Sequence, residues 1–136
     1  TLHTQDTAQT VDRIVDVFPP TQQQQVRVQL SVALQGIVTQ QLLPTADGNG
    51  RTVSCEVLVP TPAVRNLIRE GKTHQIYSAL QTGGQHGMQT MDADLARLVR
   101  AGAISRSLAE QRASVPEELK RLLGAAPEMP SVLQEA

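Results

Sequence analysis

The order of apolar and polar positions divides the chain into helical and extended stretches. From Thr7 to Phe18, the residues Ala8, Val11, Ile14, Val15 and Phe18 fall on one helical face, with Asp12, Arg13 and Asp16 off it. Pro19 and Pro20 end that helix, because proline cannot continue the hydrogen-bond ladder. Thr21, with Gln24 three residues on, reads as a capping box opening a second helix. Its apolar stripe is Val26, Leu30, Ala33, Leu34 and Ile37, and Gln22 to Gln25 form its solvated first turn. Past Gly36 the pattern turns extended. Ile37–Leu43 and Arg51–Val59 flank the turn-rich run Pro44-Thr-Ala-Asp-Gly-Asn-Gly50, which predicts a β-hairpin. In its second arm Val53, Cys55, Val57 and Val59 alternate with Thr52, Ser54 and Glu56. That alternation points the valines inward, with Cys55 among them as a buried, inert thiol, while Leu58 breaks the polar side and predicts that part of that face is covered too.

The next helix has clear ends: Thr61 is the cap, Pro62 takes the first helical position and Gly71 follows the last. Val64, Leu67 and Ile68 form its apolar side, while Arg65 and Arg69, four apart, share another face. Thr73 opens a short helix through Ile76, Ala79 and Leu80, closed by Gly83 and Gly84, and Gln85 to Gln89 read as loop. Thr90 caps a helix to Ala101 with Leu95, Leu98 and Val99 inward. The carboxylates of Asp92 and Asp94 sit in its first turn, where the helix dipole accounts for them without acid–base chemistry. Ser107 with Glu110, and Ser114 with Glu117, read as capping boxes for two more short helices. From Gly124 onward Ala, Pro and Ser dominate, predicting a loosely held tail.

Composition narrows the class. At 136 residues and 40% hydrophobic the chain can bury a core, and with aromatics at 1% (only Phe18 and Tyr77) that core must be aliphatic. Twelve basic against 13 acidic residues leave no surplus to displace counterions, and there are no aromatic platforms for bases, so nucleic acid is not an expected partner. One cysteine, Cys55, excludes an internal disulfide and a Cys-rich zinc site. No apolar run approaches the roughly 20 residues that span a bilayer, and a cytoplasmic setting is expected. Thr1-Leu-His-Thr4 reads as the end of a strand entering a polar turn, the expectation being a piece of a longer protein.

Few residues carry chemistry by spacing alone. Gly71-Lys72-Thr73 imitates the end of a phosphate-binding loop, but the motif needs glycine five residues earlier, where Asn66 stands. A capped helix also precedes it in place of a strand, so Gly71 is a helix stop. His74 and His86 show no metal spacing, and no metal site is expected. Arg65 and Arg69 could clamp an anion, but read more simply as a solvated face. On the residues alone, His3 is more simply a turn histidine bonded to a nearby hydroxyl than a phosphate contact.

Context changes that last reading. Thr1-Leu-His-Thr-Gln-Asp-Thr-Ala-Gln-Thr-Val-Asp-Arg-Ile-Val-Asp16 resembles the histidine box of the secretion-ATPase superfamily. Ala63-Val-Arg-Asn-Leu-Ile-Arg-Glu70 is similar to the signature helix of PilT-type pilus retraction ATPases, with only Val64 departing, and Gly87-Met-Gln-Thr-Met-Asp92 resembles that family's downstream signature. The resemblance runs from Thr1 to about Ala113, in the family's order.

It implies an α/β fold: the C-terminal part of a RecA-like P-loop ATPase domain followed by a small helical bundle. Residues 1–60 would belong to the ATPase core, 61–123 to a helical region bearing the signature helix, and 124–136 to a flexible tail. The implied function is that of a homo-hexameric ATP-driven motor for type IV pilus retraction and twitching motility. It would act in the cytoplasm at the inner membrane, on the platform and pilin machinery, without inserting in the membrane. His3 would face the terminal phosphate of ATP–Mg2+, with Thr4 and Arg13 as further box members. Ala63, Val64, Arg65, Asn66, Leu67, Ile68, Arg69 and Glu70 would serve mechanical coupling. The family's phosphate loop, acidic boxes and catalytic glutamate precede the histidine box, so this segment alone is expected to bind no nucleotide and to be inactive. With Cys55 alone and Leu42–Gly48 where assembly-type and type II secretion ATPases carry a four-cysteine zinc motif, the retraction type is favoured. A stand-alone, non-enzymatic interaction module derived from such a motor is the alternative from another class.

Overall fold

Two aliphatic clusters organise the chain, and a two-stranded hairpin supplies residues to both. The structure is a computed structural model that describes residues 1–124. The expected tail beyond Gly124 lies outside the described residues. Helices α1 (Thr7–Asp16) and α2 (Pro20–Ala33) precede strands β1 (Ile37–Pro44) and β2 (Arg51–Leu58). Helices α3 (Pro62–Arg69), α4 (Ile76–Thr82), α5 (Met91–Arg100), α6 (Arg106–Arg112) and α7 (Pro116–Leu123) follow, with 3-10 turns at Thr73–Gln75 and Gly84–His86.

The strands pair antiparallel from Ile37 opposite Leu58 to Pro44 opposite Arg51. Their turn is held by Asp47, whose carboxylate accepts from the Thr45 hydroxyl at 2.6 Å and the Asn49 N–H at 2.9 Å. Gly48 supplies the left-handed backbone there, at φ 74°. The first cluster joins Val11, Ile37, Leu58, Val64, Ile68, Ile76, Leu80 and Met88. The second gathers Met91, Leu95, Leu98, Ile104, Ala109 and Leu119 about Leu43. Neither Phe18 nor Tyr77 belongs to a cluster, and the core is aliphatic as composition requires.

Several local expectations are corrected. Residues 1–4 form no strand. They have no neighbour to ladder with, because β1 pairs only with β2 among the described residues. The second helix starts at Pro20, one residue before Thr21, with Pro19 at the cap position and no side-chain cap. Most of its predicted stripe is only half-buried, Ala33 is exposed, and the fully buried residue of the helix is Ser31. Ser105, two residues before the expected cap, opens α6 by accepting from the Leu108 N–H at 3.1 Å. Pro116 opens α7 without any side-chain cap. Thr61, Pro62, Gly71 and Thr90 stand at the helix ends as expected.

The largest correction is the hairpin's orientation. Ser54, Glu56 and Leu58 are the buried positions of β2, so the polar side faces in. Cys55 is half-buried on the other face, beside Val53 and Val57, and Val38 and Leu42 of β1 are 57% and 60% exposed. The inversion of β2 is tolerated because its two buried polar side chains, Ser54 and Glu56, have partners. The Ser54 hydroxyl lies 3.1 Å from the Met91 sulfur, and Glu56 accepts three hydrogen bonds described below. Partial burial, then the Asp94 carboxylate, raises the Cys55 thiol above its ordinary value, which disfavours the thiolate.

Helix α5 adds two more buried carboxylates. Asp92 accepts from the Tyr77 hydroxyl at 2.7 Å, the Ser114 N–H at 2.8 Å and the Val115 N–H at 3.1 Å, tying α4 and the start of α7 to α5. Asp94 accepts from the Cys55 N–H at 2.8 Å and from Arg97 at 2.7 Å. Their structural part is larger than helix-dipole placement: both carboxylates cross-link elements.

Partial burial, then the hydrogen bond to Asp92 and its charge, pushes the Tyr77 hydroxyl well above the usual tyrosine range. Because the folded value lies above the unfolded one of about 10, this contribution is fully present below about pH 10 and is lost as pH rises through the folded value. Tyr77 is the single tyrosine of the 136 residues, so phenolate absorbance reads it directly. The folded chain is expected to show almost no phenolate at about pH 11, with ionisation coinciding with unfolding. A midpoint near the free-tyrosine value in the folded chain would contradict the Tyr77–Asp92 bond.

Candidate functional site

The histidine-box segment folds as a polar turn leading into α1. Asp6 caps α1, accepting from the Gln9 N–H at 2.7 Å. Thr10 donates its one hydroxyl proton to the Asp6 carbonyl at 3.0 Å, so in the 2.5 Å contact between the Thr4 and Thr10 hydroxyls, Thr4 is the donor. The residue after His3 is thereby pinned to the second turn of α1. His3 itself is exposed.

His3 and Thr4 line a groove of about 1090 Å³, opposite Thr39 and Gln41 of β1 and beside Arg112 at the end of α6. Arg13, the third box residue, is exposed in the last turn of α1 and does not line the groove. The structure therefore brings His3 and Thr4 together and leaves Arg13 apart. Among the described residues no group of three or more His, Cys, Asp or Glu is placed to hold a metal ion.

Sequence reasoning missed Glu56. It is 1% exposed, and its Oε1 accepts from the Thr7 N–H at 2.9 Å and the Thr7 hydroxyl at 2.8 Å. Its Oε2 accepts from the Met91 N–H at 3.1 Å. The available signals were a glutamate amid the β-branched residues of a strand and Leu58 on the same side, and alternation still assigned Glu56 to the wrong face.

The signature helix α3 divides by face. Val64 and Ile68 are buried, and Leu67 is half-buried. Arg65 is not part of a solvated face: its Nη1 donates to the carbonyls of Ser31 at 2.7 Å, Val32 at 3.1 Å and Leu34 at 3.1 Å. These belong to the end of α2, whose last carbonyls have no partner within the helix. Ala63, Asn66, Arg69 and Glu70 are exposed, with Arg69 donating to the Asn66 side chain at 2.9 Å. Gly71, at φ 71°, terminates α3, and Lys72 pairs with Glu70 at 3.0 Å, so Gly71-Lys72-Thr73 is a helix end and not a phosphate loop. The Thr73 hydroxyl donates to Asp12 of α1 at 2.9 Å.

No family model matches the chain. A twitching motility protein of Neisseria gonorrhoeae is 55% identical over 119 residues, which is 88% of this chain and 32% of that protein. The type IV pilus retraction ATPase PilT of Pseudomonas aeruginosa is 50% identical over 117 residues, 86% of this chain and 34% of that protein. This chain resembles the C-terminal portion of a PilT-type ATPase. The crystal structure of the pilus retraction motor PilT with bound ADP superposes with a TM-score of 0.78 at 46% identity, covering 89% of this chain and 33% of that one. The α/β fold is accordingly that of the C-terminal part of these secretion ATPases. The chain spans about a third of the length of the curated relatives it matches.

The two arginines of the signature helix have separable parts. Arg65→Ala is expected to cost about 2 kcal/mol, since it strips a charged donor from three carbonyls, whereas Arg69→Ala should stay within about 0.5 kcal/mol. Denaturant unfolding checks both, and equal effects would contradict the division of α3 into a capping face and an open one.

Proposed function

We propose that these residues form the C-terminal portion of the ATPase domain of a type IV pilus retraction motor. The observation that carries the reading is the 55% identity to a twitching motility protein across 119 of the 136 residues, a span long enough that it includes the signature helix at residues 63–70. In the whole protein the ATPase works as a homo-hexamer in the cytoplasm, against the inner membrane, and couples ATP hydrolysis to pilin disassembly at the pilus platform. Residues 1–60 complete the RecA-like core, and 61–123 carry the coupling helix.

ATP with Mg2+ supplies the transferable phosphoryl group when bound. The residues present fit one side of that group: His3 is solvent-accessible at the groove, and the Thr4–Thr10 hydroxyl bond fixes the chain beside it. An imidazole N–H there can donate to a phosphate oxygen and so register whether the terminal phosphate is present. The glycine-rich loop that would cradle the phosphates has no counterpart in these 136 residues, since Asn66 replaces the needed glycine. Alone, therefore, they neither hold the nucleotide nor hydrolyse it. Thr4 positions the turn, and Arg13, away from the groove, serves contacts on the outer side of α1. Arg65 joins α3 to α2 so that the pair moves as one body, and Asn66, Arg69 and Glu70 present the coupling face.

In the intact protein His3→Ala is expected to reduce ATP turnover by about a hundredfold while ADP affinity changes little, because the lost contact acts on the transferred phosphoryl. Steady-state hydrolysis with equilibrium ADP binding measures both, and unchanged turnover would refute the phosphate-facing role.

A further inference from the structure

Glu56 is a buried carboxylate whose three hydrogen bonds go to two helix beginnings far apart in sequence. Thr7 and Met91 are the first residues of α1 and α5. The caps of those helices, Asp6 and Thr90, accept from Gln9 and Ala93, which leaves the first N–H of each helix without a partner of its own. One carboxylate takes both. A negative charge suits this place, because two positive helix ends and only donors converge on it. Glutamine would turn an N–H group toward an N–H group, and aspartate would withdraw the carboxylate by one methylene.

The consequence reaches the histidine box. Thr7 is four residues past His3, and the Thr4–Thr10 bond closes the intervening turn onto α1. Where α1 begins therefore decides where His3 sits against the hairpin. We propose that Glu56 is a positioning residue for the histidine box: through Thr7 it sets the place of His3, and through Met91 it ties that place to α5 and the Gly87–Asp92 segment leading into it. The inference rests on the reading of His3 as phosphate-facing. Glu56 touches neither nucleotide nor reacting atoms in this account; it acts through Thr7.

The test uses the intact protein, with ATP for turnover and ADP for binding. Glu56→Gln and Thr7→Val should each lower kcat by about tenfold or more, with ADP Kd within about twofold of the parent. Thr7→Ser, which keeps the hydroxyl, should restore turnover. In a His3→Ala background Thr7→Val should add almost no further loss, since both changes remove one contribution. Wild-type turnover in Thr7→Val and Glu56→Gln, or losses that multiply in the double variant, would overturn the proposal and leave Glu56 as a fold element alone. Slow His3→Ala with fast Thr7→Val sinks only the positioning role. Wild-type turnover in His3→Ala instead sinks the reading of His3, and the positioning role with it. Should Glu56→Gln not fold, the Thr7→Val and Thr7→Ser pair decides, because it retains the carboxylate and the backbone bond.

Discussion

A carboxylate buried to 1% exposure must have its oxygens satisfied by donors, and that demand on Glu56 constrains the rest of the fold. The donors are the first N–H groups of α1 and α5 and the Thr7 hydroxyl, so both helices must begin against the inner face of β2. Asp92 and Asp94 repeat the arrangement from the other side, taking N–H groups from the approach to α7 and from β2. With almost no aromatic residues to give the core shape, aliphatic packing supplies the burial. The three carboxylates supply the geometry. Apolar side chains of similar volume can exchange places at modest cost, whereas a buried charge accepts only an arrangement that meets it with donors.

The same division of labour links the histidine box to the signature helix. The histidine box is held from two directions: by Glu56 at Thr7 and by the Thr4–Thr10 hydroxyl bond. Helix α1 then reaches the region after the signature helix through Asp12 and Thr73. The signature helix grips α2 through Arg65 and leaves Arg69 at the surface. The box is thus connected to the end of α3 by the chain of α1 and the Asp12–Thr73 hydrogen bond. The proposed nucleotide-sensing role of the box requires such a route.

Much of this was legible in the residues. The bounds of α1, α3, α5 and the hairpin follow from strong local signals: Pro19, Thr61-Pro62, Gly71, Thr90 and the Asp47-Gly48 turn. What was not legible depends on long-range partners. The face of β2 reads backwards, because alternation assumes polar residues face water; instead Ser54 donates to the Met91 sulfur, and Glu56 faces donors 35 and 49 residues away in sequence. Ser105, Ser107 and Ser114 offer equivalent capping chemistry, and the choice falls to packing around Ala109 and Leu119 and to the pull of Asp92 on Ser114 and Val115. Arg65 resembles Arg69 in every local respect, and only the placement of the α2 end separates them. His3 drew its meaning from resemblance and its setting from the groove.

The central claim is that one buried carboxylate fastens α1 and α5 together at their first turns. Its most direct measurement is native-state hydrogen exchange at the Thr7 and Met91 amides in the intact protein. First-residue helix amides ordinarily exchange fast, having no intrahelical acceptor. The account predicts that both are protected and that both open with the same free energy, as one unit. Fast exchange at either amide, or protection at one that is independent of the other, would contradict it.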